Sequence, residues 1–180
     1  LMSSRMSGSE EALAEMTLAR LKAPQNPPAS ARLLIGGYGM GFTLRKALAL
    51  MGPDGKAVVA ELVPGIIEWA RGPMAELAAG CLDDPRTQVV MSDVGAVIGK
   101  ARGAYDAILL DVDNGPDGLT RLANDGLYTM RGLEAARAAL KPGGVLAVWS
   151  AGPDDRFRRR MGDAGFAVEE VAVRARSNGK

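Results

Sequence analysis

The amino-acid sequence predicts an α/β domain in which helices cover both faces of a mostly parallel β-sheet. Apolar segments of strand length alternate with segments of helical periodicity along nearly the whole chain. A cluster of glycines between residues 36 and 41 joins the first apolar segment directly to a helix-compatible one. A length of 180 residues suits one domain with a sizeable core.

The N-terminal half is expected to hold a leading helix, three strands and the helices between them. Ser9 suits a helix N-cap, and apolar residues on one helix face follow it as far as Leu21. Short buried strands are expected at Leu33–Ile35 and Lys56–Glu61, and a third strand at Thr87–Met91. Helices are expected at Phe42–Met51, at Pro64–Leu77, where proline suits the first turn, and, as a short helix or turn, at Val94–Lys100.

The C-terminal half continues the alternation. Strands are expected at Tyr105–Asp111, Val145–Ser150 and Phe166–Val173, and helices at Leu127–Leu140 and Asp154–Ala164. Residues 112–124 are rich in Asp, Asn, Gly and Pro and are expected to form a loop. We divide the chain into an N-terminal arm and helix, residues 1–30, and a nucleotide-binding α/β domain, residues 31–180.

Composition excludes several classes of function. The 22 basic and 21 acidic residues leave a net charge of +1, so nothing indicates nucleic acid or a membrane surface as a partner. Cys81 is the only cysteine and histidine is absent, which excludes internal disulfides, cysteine metal clusters and histidine-activated nucleophiles. Acid–base chemistry would therefore depend on carboxylates, tyrosine, lysine or Cys81. A cytoplasmic location is expected, because no secretory signal or membrane-spanning run is visible.

Gly37, Gly39 and Gly41 occupy alternate positions in the turn after the first strand. Glycine lets the backbone turn tightly and approach a ligand, and the helix that follows presents free N–H groups. This spacing is typical of folds that bind S-adenosylmethionine (SAM). A dinucleotide fingerprint would place its third glycine one position later, where this chain has Phe42.

Carboxylates follow three of the expected strands. Right-handed crossovers bring the carboxyl ends of parallel strands to one edge of the sheet, where ligands bind. We therefore expect Glu61, Asp93 and Asp111 to converge beside the glycine turn, together with Ser150. Glu61 could accept hydrogen bonds from two ribose hydroxyls, or be an ordinary strand-end acid. Asp93 could accept from an adenine amino group, with the Val94 N–H opposite, or cap the next helix.

Asp111 and Asp113 lie two residues apart, directly after the fourth strand. Such a pair can accept a proton or hold an ammonium group, and we predict that both residues are catalytic. Carboxylates that only stabilise a loop are the alternative. A function is favoured because these acids fall at the ligand-binding edge of the sheet.

Four stretches resemble the spermidine synthase-like branch of the class I SAM-dependent methyltransferase fold: residues 34–45, 60–64, 92–94 and 105–116. The resemblance extends from about Ser9 to Val173. It implies a Rossmann-like fold, SAM or decarboxylated SAM as the donor, and an amine such as putrescine as the acceptor, with no metal. Such sheets usually end in an antiparallel strand, and none is expected here because no strand pattern follows Val173.

The resemblance also assigns residues. It implies that Asp111 assists deprotonation of the attacking amine, that Glu61 binds ribose and that Asp93 contacts adenine. The implied cofactor-binding residues are Gly37, Tyr38, Gly39, Gly41, Glu61, Leu62, Asp93, Val94 and Asp111. Three features depart from the family pattern. Met40 replaces an acid between the last two glycines, and residues 111–116 read Asp-Val-Asp-Asn-Gly-Pro where the family has Asp-Ser-Ser-Asp-Pro. The usual β-rich N-terminal domain is not expected, since only about thirty residues precede the first strand.

Three alternatives stay open. The chain could transfer methyl groups from SAM to a small molecule, or bind a nucleotide without catalysis. An NAD-dependent oxidoreductase is disfavoured, because Phe42 occupies the third-glycine position and no obvious catalytic Tyr-x-x-x-Lys pair or histidine is present. A small-molecule amine is the expected partner, and a homodimer is the base-rate expectation for oligomeric state.

Overall fold

The computed structural model describes residues 8–21, 28–111 and 126–173, which form five strands and the helices between them. Along the chain the elements are α1 (Gly8–Arg20), β1 (Arg32–Gly36), α2 (Phe42–Leu50), β2 (Lys56–Glu61), α3 (Pro64–Arg71), α4 (Ala75–Ala78), β3 (Thr87–Met91), α5 (Val94–Lys100), β4 (Tyr105–Leu110), α6 (Met130–Ala139), β5 (Leu140–Val148) and α7 (Asp155–Asp163). A single 3-10 turn, Pro28–Ser30, precedes β1.

The strands form one parallel sheet in the order β3-β2-β1-β4-β5. The chain builds outward from β1 to β3, then returns to place β4 on the other side of β1. This reversal opens a crevice at the carboxyl ends of β1 and β4, the usual ligand site of such sheets. Gly36 pairs in register with both Ala60 and Leu110, so the residues that follow β1, β2 and β4 lie next to one another at the carboxyl edge of the sheet.

Alternate strand residues supply two hydrophobic cores, one on each face of the sheet, as the fold prediction requires. Leu33 and Ile35 of β1 pack with α1 and α2 on one face. Leu34 packs on the other face with α5, α6 and α7. The predicted α/β fold with helices on both faces is confirmed.

Asp106 ties the amino ends of three strands together, at the edge opposite the crevice. Its carboxylate is buried and accepts hydrogen bonds from the Arg32 backbone N–H at 2.7 Å and the Lys141 Nζ at 2.8 Å. Here β5 begins earlier than expected, at Leu140 rather than Val145, with an irregular register between Tyr105 and Ala107. A Cβ on Gly144 would lie 3.0 Å from the Asp106 carbonyl oxygen, so glycine permits this close pairing.

Two predicted elements differ from the structure. The expected helix 64–77 is divided into α3 and α4, because the chain turns at Gly72. The strand expected at Phe166–Val173 was wrong: this segment pairs with none of the described strands. Alternating apolar residues express only a local preference, whereas a strand also requires a neighbour to complete its hydrogen bonds. An ion pair of 2.7 Å between Arg20 and Glu169 instead links the segment to α1.

Candidate active site

The glycine turn crosses the carboxyl end of the sheet between β1 and α2. Gly37, Gly39 and Gly41 all have positive φ, between 56° and 82°, a conformation that other residues rarely adopt. The Gly37 N–H donates to the Ala60 carbonyl at 2.9 Å, and the Gly41 N–H to the Tyr38 carbonyl at 2.9 Å. The glycines therefore meet a conformational requirement at each of the three alternate positions.

The Tyr38 side chain is buried in the core beneath the turn and does not face the crevice rim. Its hydroxyl lies 3.5 Å from the Cys81 Sγ. Burial raises the pKa of the Tyr38 phenol and also that of the Cys81 thiol, so neither ionises readily. A Cβ on Gly41 would lie 2.6 Å from the Tyr38 hydroxyl, which shows how tightly this ring supports the turn. Tyr38 can serve the site through its backbone and by packing.

Glu61 ends β2 as a buried carboxylate that joins two pieces of backbone. Its Oε2 accepts from the Tyr38 N–H at 2.9 Å, and its Oε1 accepts from the Val63 N–H at 2.9 Å. Each carboxylate oxygen has a second lone pair that can accept a further hydrogen bond. Glu61 is therefore a fixed acceptor beside the glycine turn and also stabilises that turn.

Asp93 and Val94 form the first turn of α5. The Asp93 Oδ1 accepts from the Ala96 N–H at 2.9 Å, so Asp93 is the N-cap of this helix. Val94 is buried in the core on that face of the sheet. Leu62, the residue after Glu61, is 52% exposed and adds an apolar surface at the rim. The capping role of Asp93 is observed, and its contact with adenine stays a prediction.

Asp111 follows β4 directly, and its N–H donates to the Gly36 carbonyl at 3.4 Å. This places Asp111 beside the start of the glycine turn. Burial raises the pKa of its carboxyl group to about 6. The second predicted catalytic residue, Asp113, lies outside the described residues. Ser150, expected at the same edge, is exposed after β5, and its hydroxyl donates to the Gly152 carbonyl at 2.7 Å.

Glu10 is an additional acid that the sequence did not single out as a site residue. It lies in the first turn of α1, and its backbone carbonyl accepts from the Thr43 hydroxyl at 3.3 Å. Thr43 belongs to the first turn of α2, immediately after the glycine turn. The pKa of Glu10 is raised to about 7, mainly by burial and secondarily by the negative charge of Asp111. No local pattern could have identified Glu10, because acids are common in first turns of helices.

The two basic residues of α2, the helix that follows the glycine turn, are engaged by other groups. Lys46 pairs with Glu15 at 2.8 Å and with Glu11 at 3.4 Å. The Arg45 guanidinium donates to the Leu77 carbonyl at 2.7 Å. The rim is therefore acidic in the described part of the chain. A cationic or neutral ligand suits it better than an anionic one.

The described residues form neither a metal-binding cluster nor a membrane-spanning helix. They contain no cluster of three or more His, Cys, Asp or Glu side chains placed to hold a metal ion. None of their helices combines the length and apolar character needed to cross a membrane.

A cavity of about 1180 Å³ is lined by α1, β5, α7 and the 166–173 segment. Glu61, Asp93 and Asp111 do not line it, so it is separate from the carboxylate rim.

Comparison with known proteins places these features in context. Residues 8–153 match the family described as spermine/spermidine synthase domain. Polyamine aminopropyltransferase 2 of Pseudomonas aeruginosa is 34% identical over 120 residues, which cover 64% of this chain and 32% of that protein. Polyamine aminopropyltransferase of Mycobacterium tuberculosis strain H37Rv is 34% identical over 154 residues, which cover 78% of this chain and 28% of that protein.

Solved structures agree with the sequence relatives. Spermidine synthase from Thermotoga maritima superimposes with a TM-score of 0.70 and 25% identity, covering 93% of this chain and 53% of that one. A spermidine synthase in complex with the transition state analogue AdoDATO gives a TM-score of 0.67 and 25% identity, covering 88% and 50%. The chain spans about half the length of these structures and 22% to 40% of the length of the curated relatives.

Proposed function

We propose, from the premise that the chain belongs to the spermine/spermidine synthase domain family, that it transfers an aminopropyl group from decarboxylated SAM to an amine. The acidic rim is the observation that carries this proposal. Glu61 and Asp111 lie beside the glycine turn, and Asp93 caps the helix that follows β3 at the same edge of the sheet. Arg45 and Lys46 of α2 are engaged by other groups. SAM carries a carboxylate that this rim would repel, whereas decarboxylated SAM has only cationic groups there.

The reaction needs an oriented nucleophile and removal of one proton. The attacking ammonium group of the acceptor first gives one proton to the Asp111 carboxylate, and the resulting neutral nitrogen attacks the carbon beside the sulfonium sulfur. A C–N bond forms as the C–S bond breaks, and sulfur keeps the electron pair as the neutral thioether 5′-methylthioadenosine. The product nitrogen keeps its protons as a secondary ammonium group, which carries the positive charge that the sulfonium loses. The protein contributes alignment, which can lower such barriers by several kcal/mol, and a positioned base.

The environment of Asp111 suits it to this proton transfer. A primary amine such as that of lysine has a pKa of about 10.4, and an ordinary aspartate has one of about 3.9. Burial raises the pKa of Asp111 to about 6, which reduces the difference in pKa between the ammonium group that donates the proton and the carboxylate that accepts it. Asp111 is therefore a stronger base than an exposed aspartate would be.

The remaining residues are proposed to hold the nucleoside. The fixed Glu61 carboxylate would accept from the ribose hydroxyls through its remaining lone pairs. Asp93 and the Val94 N–H would contact adenine, whose ring would lie near exposed Leu62. Gly37, Gly39 and Gly41 would let the backbone approach the donor. The names of the relatives support a polyamine acceptor such as putrescine.

One feature favours a second candidate function, nucleotide binding without catalysis. Met40 lies buried in the glycine turn where the family usually carries an acid. The turn itself therefore offers no carboxylate to a cationic donor. Turnover measured beside binding, in the same preparation, separates this candidate from the transferase. Methyl transfer from SAM is a further alternative that the same titrations test.

The test is calorimetric titration of the chain with SAM, decarboxylated SAM and 5′-methylthioadenosine, followed by turnover with putrescine. We expect decarboxylated SAM to bind more tightly than SAM, and aminopropylated putrescine to form. The variant Asp111→Asn should bind 5′-methylthioadenosine as the wild type does but form no product. Preference for SAM would contradict aminopropyl transfer. Binding without turnover would favour the non-catalytic candidate.

A further inference from the structure

Tyr38 joins the glycine turn to the Glu61 carboxylate through its backbone. Its N–H donates to the Glu61 Oε2 at 2.9 Å, and its carbonyl accepts from the Gly41 N–H at 2.9 Å. The position of the Tyr38 backbone therefore determines both where this carboxylate oxygen lies and how the turn closes. Because the oxygen has one remaining lone pair, the direction in which it can accept from a ligand hydroxyl also depends on Tyr38.

The Tyr38 side chain supports this backbone from inside the core. Its ring is 5% exposed and packs with residues of α1 and α2. The hydroxyl occupies the space that a side chain at Gly41 would need, since a Cβ there would lie 2.6 Å from it. The same hydroxyl lies 3.5 Å from the Cys81 Sγ, with which it forms a buried hydrogen bond. The outer end of the ring therefore contacts the glycine turn and Cys81 together.

Cys81 is held in place by contacts that do not involve the glycine turn. Its N–H donates to the Ala78 carbonyl at 3.0 Å, which ties it to the end of α4. The Arg45 guanidinium of α2 donates to the Leu77 carbonyl at 2.7 Å and so joins α4 to α2. The Cys81 sulfur is therefore a fixed point against which the Tyr38 ring is held.

We propose that Tyr38 is a positioning residue for the donor nucleoside: its side chain, held between Gly41 and Cys81, keeps the Tyr38 N–H on Glu61 and so directs that carboxylate at the ribose hydroxyls. This inference rests on the proposed function and extends it to a buried side chain beneath the site. A ring that only filled the core would affect every ligand of the crevice equally. A ring that positions Glu61 affects only ligands that carry ribose hydroxyls.

The experiment measures by calorimetry how strongly the chain prefers 5′-methylthioadenosine to its 2′,3′-dideoxy analogue, which keeps the base and the thioether but lacks both ribose hydroxyls. Hydrogen bonds to the Glu61 carboxylate should give the wild type a preference of roughly 10- to 100-fold. Tyr38→Phe removes only the hydroxyl that contacts Cys81. It should reduce the preference roughly 3- to 10-fold and leave the affinity for the analogue unchanged, because a less firmly held carboxylate loses part of these hydrogen bonds.

Two further variants complete the design. Cys81→Ala removes the same contact from its other side and should reduce the preference to a similar extent. The double variant should lose no more than either single variant, because all three lack one shared contact. Tyr105→Phe, which alters a buried tyrosine at the amino end of β4, is the control and should keep the wild-type preference.

The outcomes separate this inference from the proposed function. An unchanged preference in Tyr38→Phe would refute the inference, as would equal weakening of both nucleosides, which indicates a structural role alone. Losses that add in the double variant would show that Tyr38 and Cys81 act independently, which also overturns it. A wild type that shows the preference but no turnover would refute aminopropyl transfer and leave the inference standing. A wild type that binds neither nucleoside would refute both.

Discussion

Replacing Glu61 with glutamine should both destabilise the glycine turn and weaken nucleoside binding. The carboxylate accepts two backbone N–H groups, from Tyr38 and Val63, each at 2.9 Å. A glutamine has only one acceptor oxygen, so its NH₂ group must face one of these donors. The variant therefore loses one hydrogen bond to a charged group, which is worth about 1.5–3 kcal/mol.

This loss predicts measurable shifts in two assays. For a chain of this size about 1 kcal/mol corresponds to roughly 2–4 °C in Tm, so Glu61→Gln should unfold about 3–12 °C below the wild type. Loss of the ribose acceptor should raise the Kd for 5′-methylthioadenosine roughly 10- to 100-fold. Glu68→Gln, at an exposed position of α3, is the matched control and should change neither value. An unchanged Tm in Glu61→Gln would refute the bridging role, and an unchanged Kd would refute ribose recognition.

Three further predictions concern the turn and its acids. Gly41→Ala should lower the free energy of unfolding by about 1–3 kcal/mol, because φ at this position is +82° and the new Cβ would meet the Tyr38 hydroxyl. Thermal unfolding measures the loss, with Gly65→Ala as the control, because a Cβ at Gly65 would have no atom within 4 Å. Asp111→Asn should raise the Tm of the unliganded protein at pH 8 but not at pH 4. Because the pKa of Asp111 is raised to about 6 in the folded state, its buried charge destabilises the wild type at pH 8, and protonation removes this destabilisation as the pH falls from 6 to 4. Equal changes in Tm at both pH values would argue against a buried charge. The affinity for decarboxylated SAM, measured by calorimetry, should fall as the pH falls from about 8 to 5, because Glu10 and Asp111 lose their negative charges near pH 7 and pH 6. The affinity for 5′-methylthioadenosine, which is uncharged, should not change over this range.

The order and type of most elements could be predicted from local pattern. Lys56–Glu61 and Thr87–Met91 form strands with the predicted bounds. Lys56–Glu61 is a continuous, largely apolar run of the kind that buried parallel strands have, whereas Thr87–Met91 is a partly exposed edge strand. The positions of Glu61 and Asp111 also followed, because the last residue of a parallel strand must lie at the carboxyl edge of the sheet. The positive φ values at the alternate glycines agree with the turn that their spacing indicated.

Other features depended on which elements pack together. The approach of Glu10 to Asp111 requires α1 to lie on α2, and the 101 positions that separate these acids leave no local signal of it. Tyr38 looked like a rim residue, yet its ring fills the core beneath the turn and contacts Cys81. The 166–173 segment has the alternation of a strand but no neighbour in the described sheet.

The sequence by itself therefore determined the α/β alternation, the glycine turn and the strand-end acids. Each follows from interactions between residues near one another in the chain, such as backbone strain, apolar periodicity and helix capping. Only the tertiary structure decided which charges share the crevice. Electrostatic coupling between Glu10 and Asp111 depends on their separation in space and on burial, which the packing of α1 against the sheet creates.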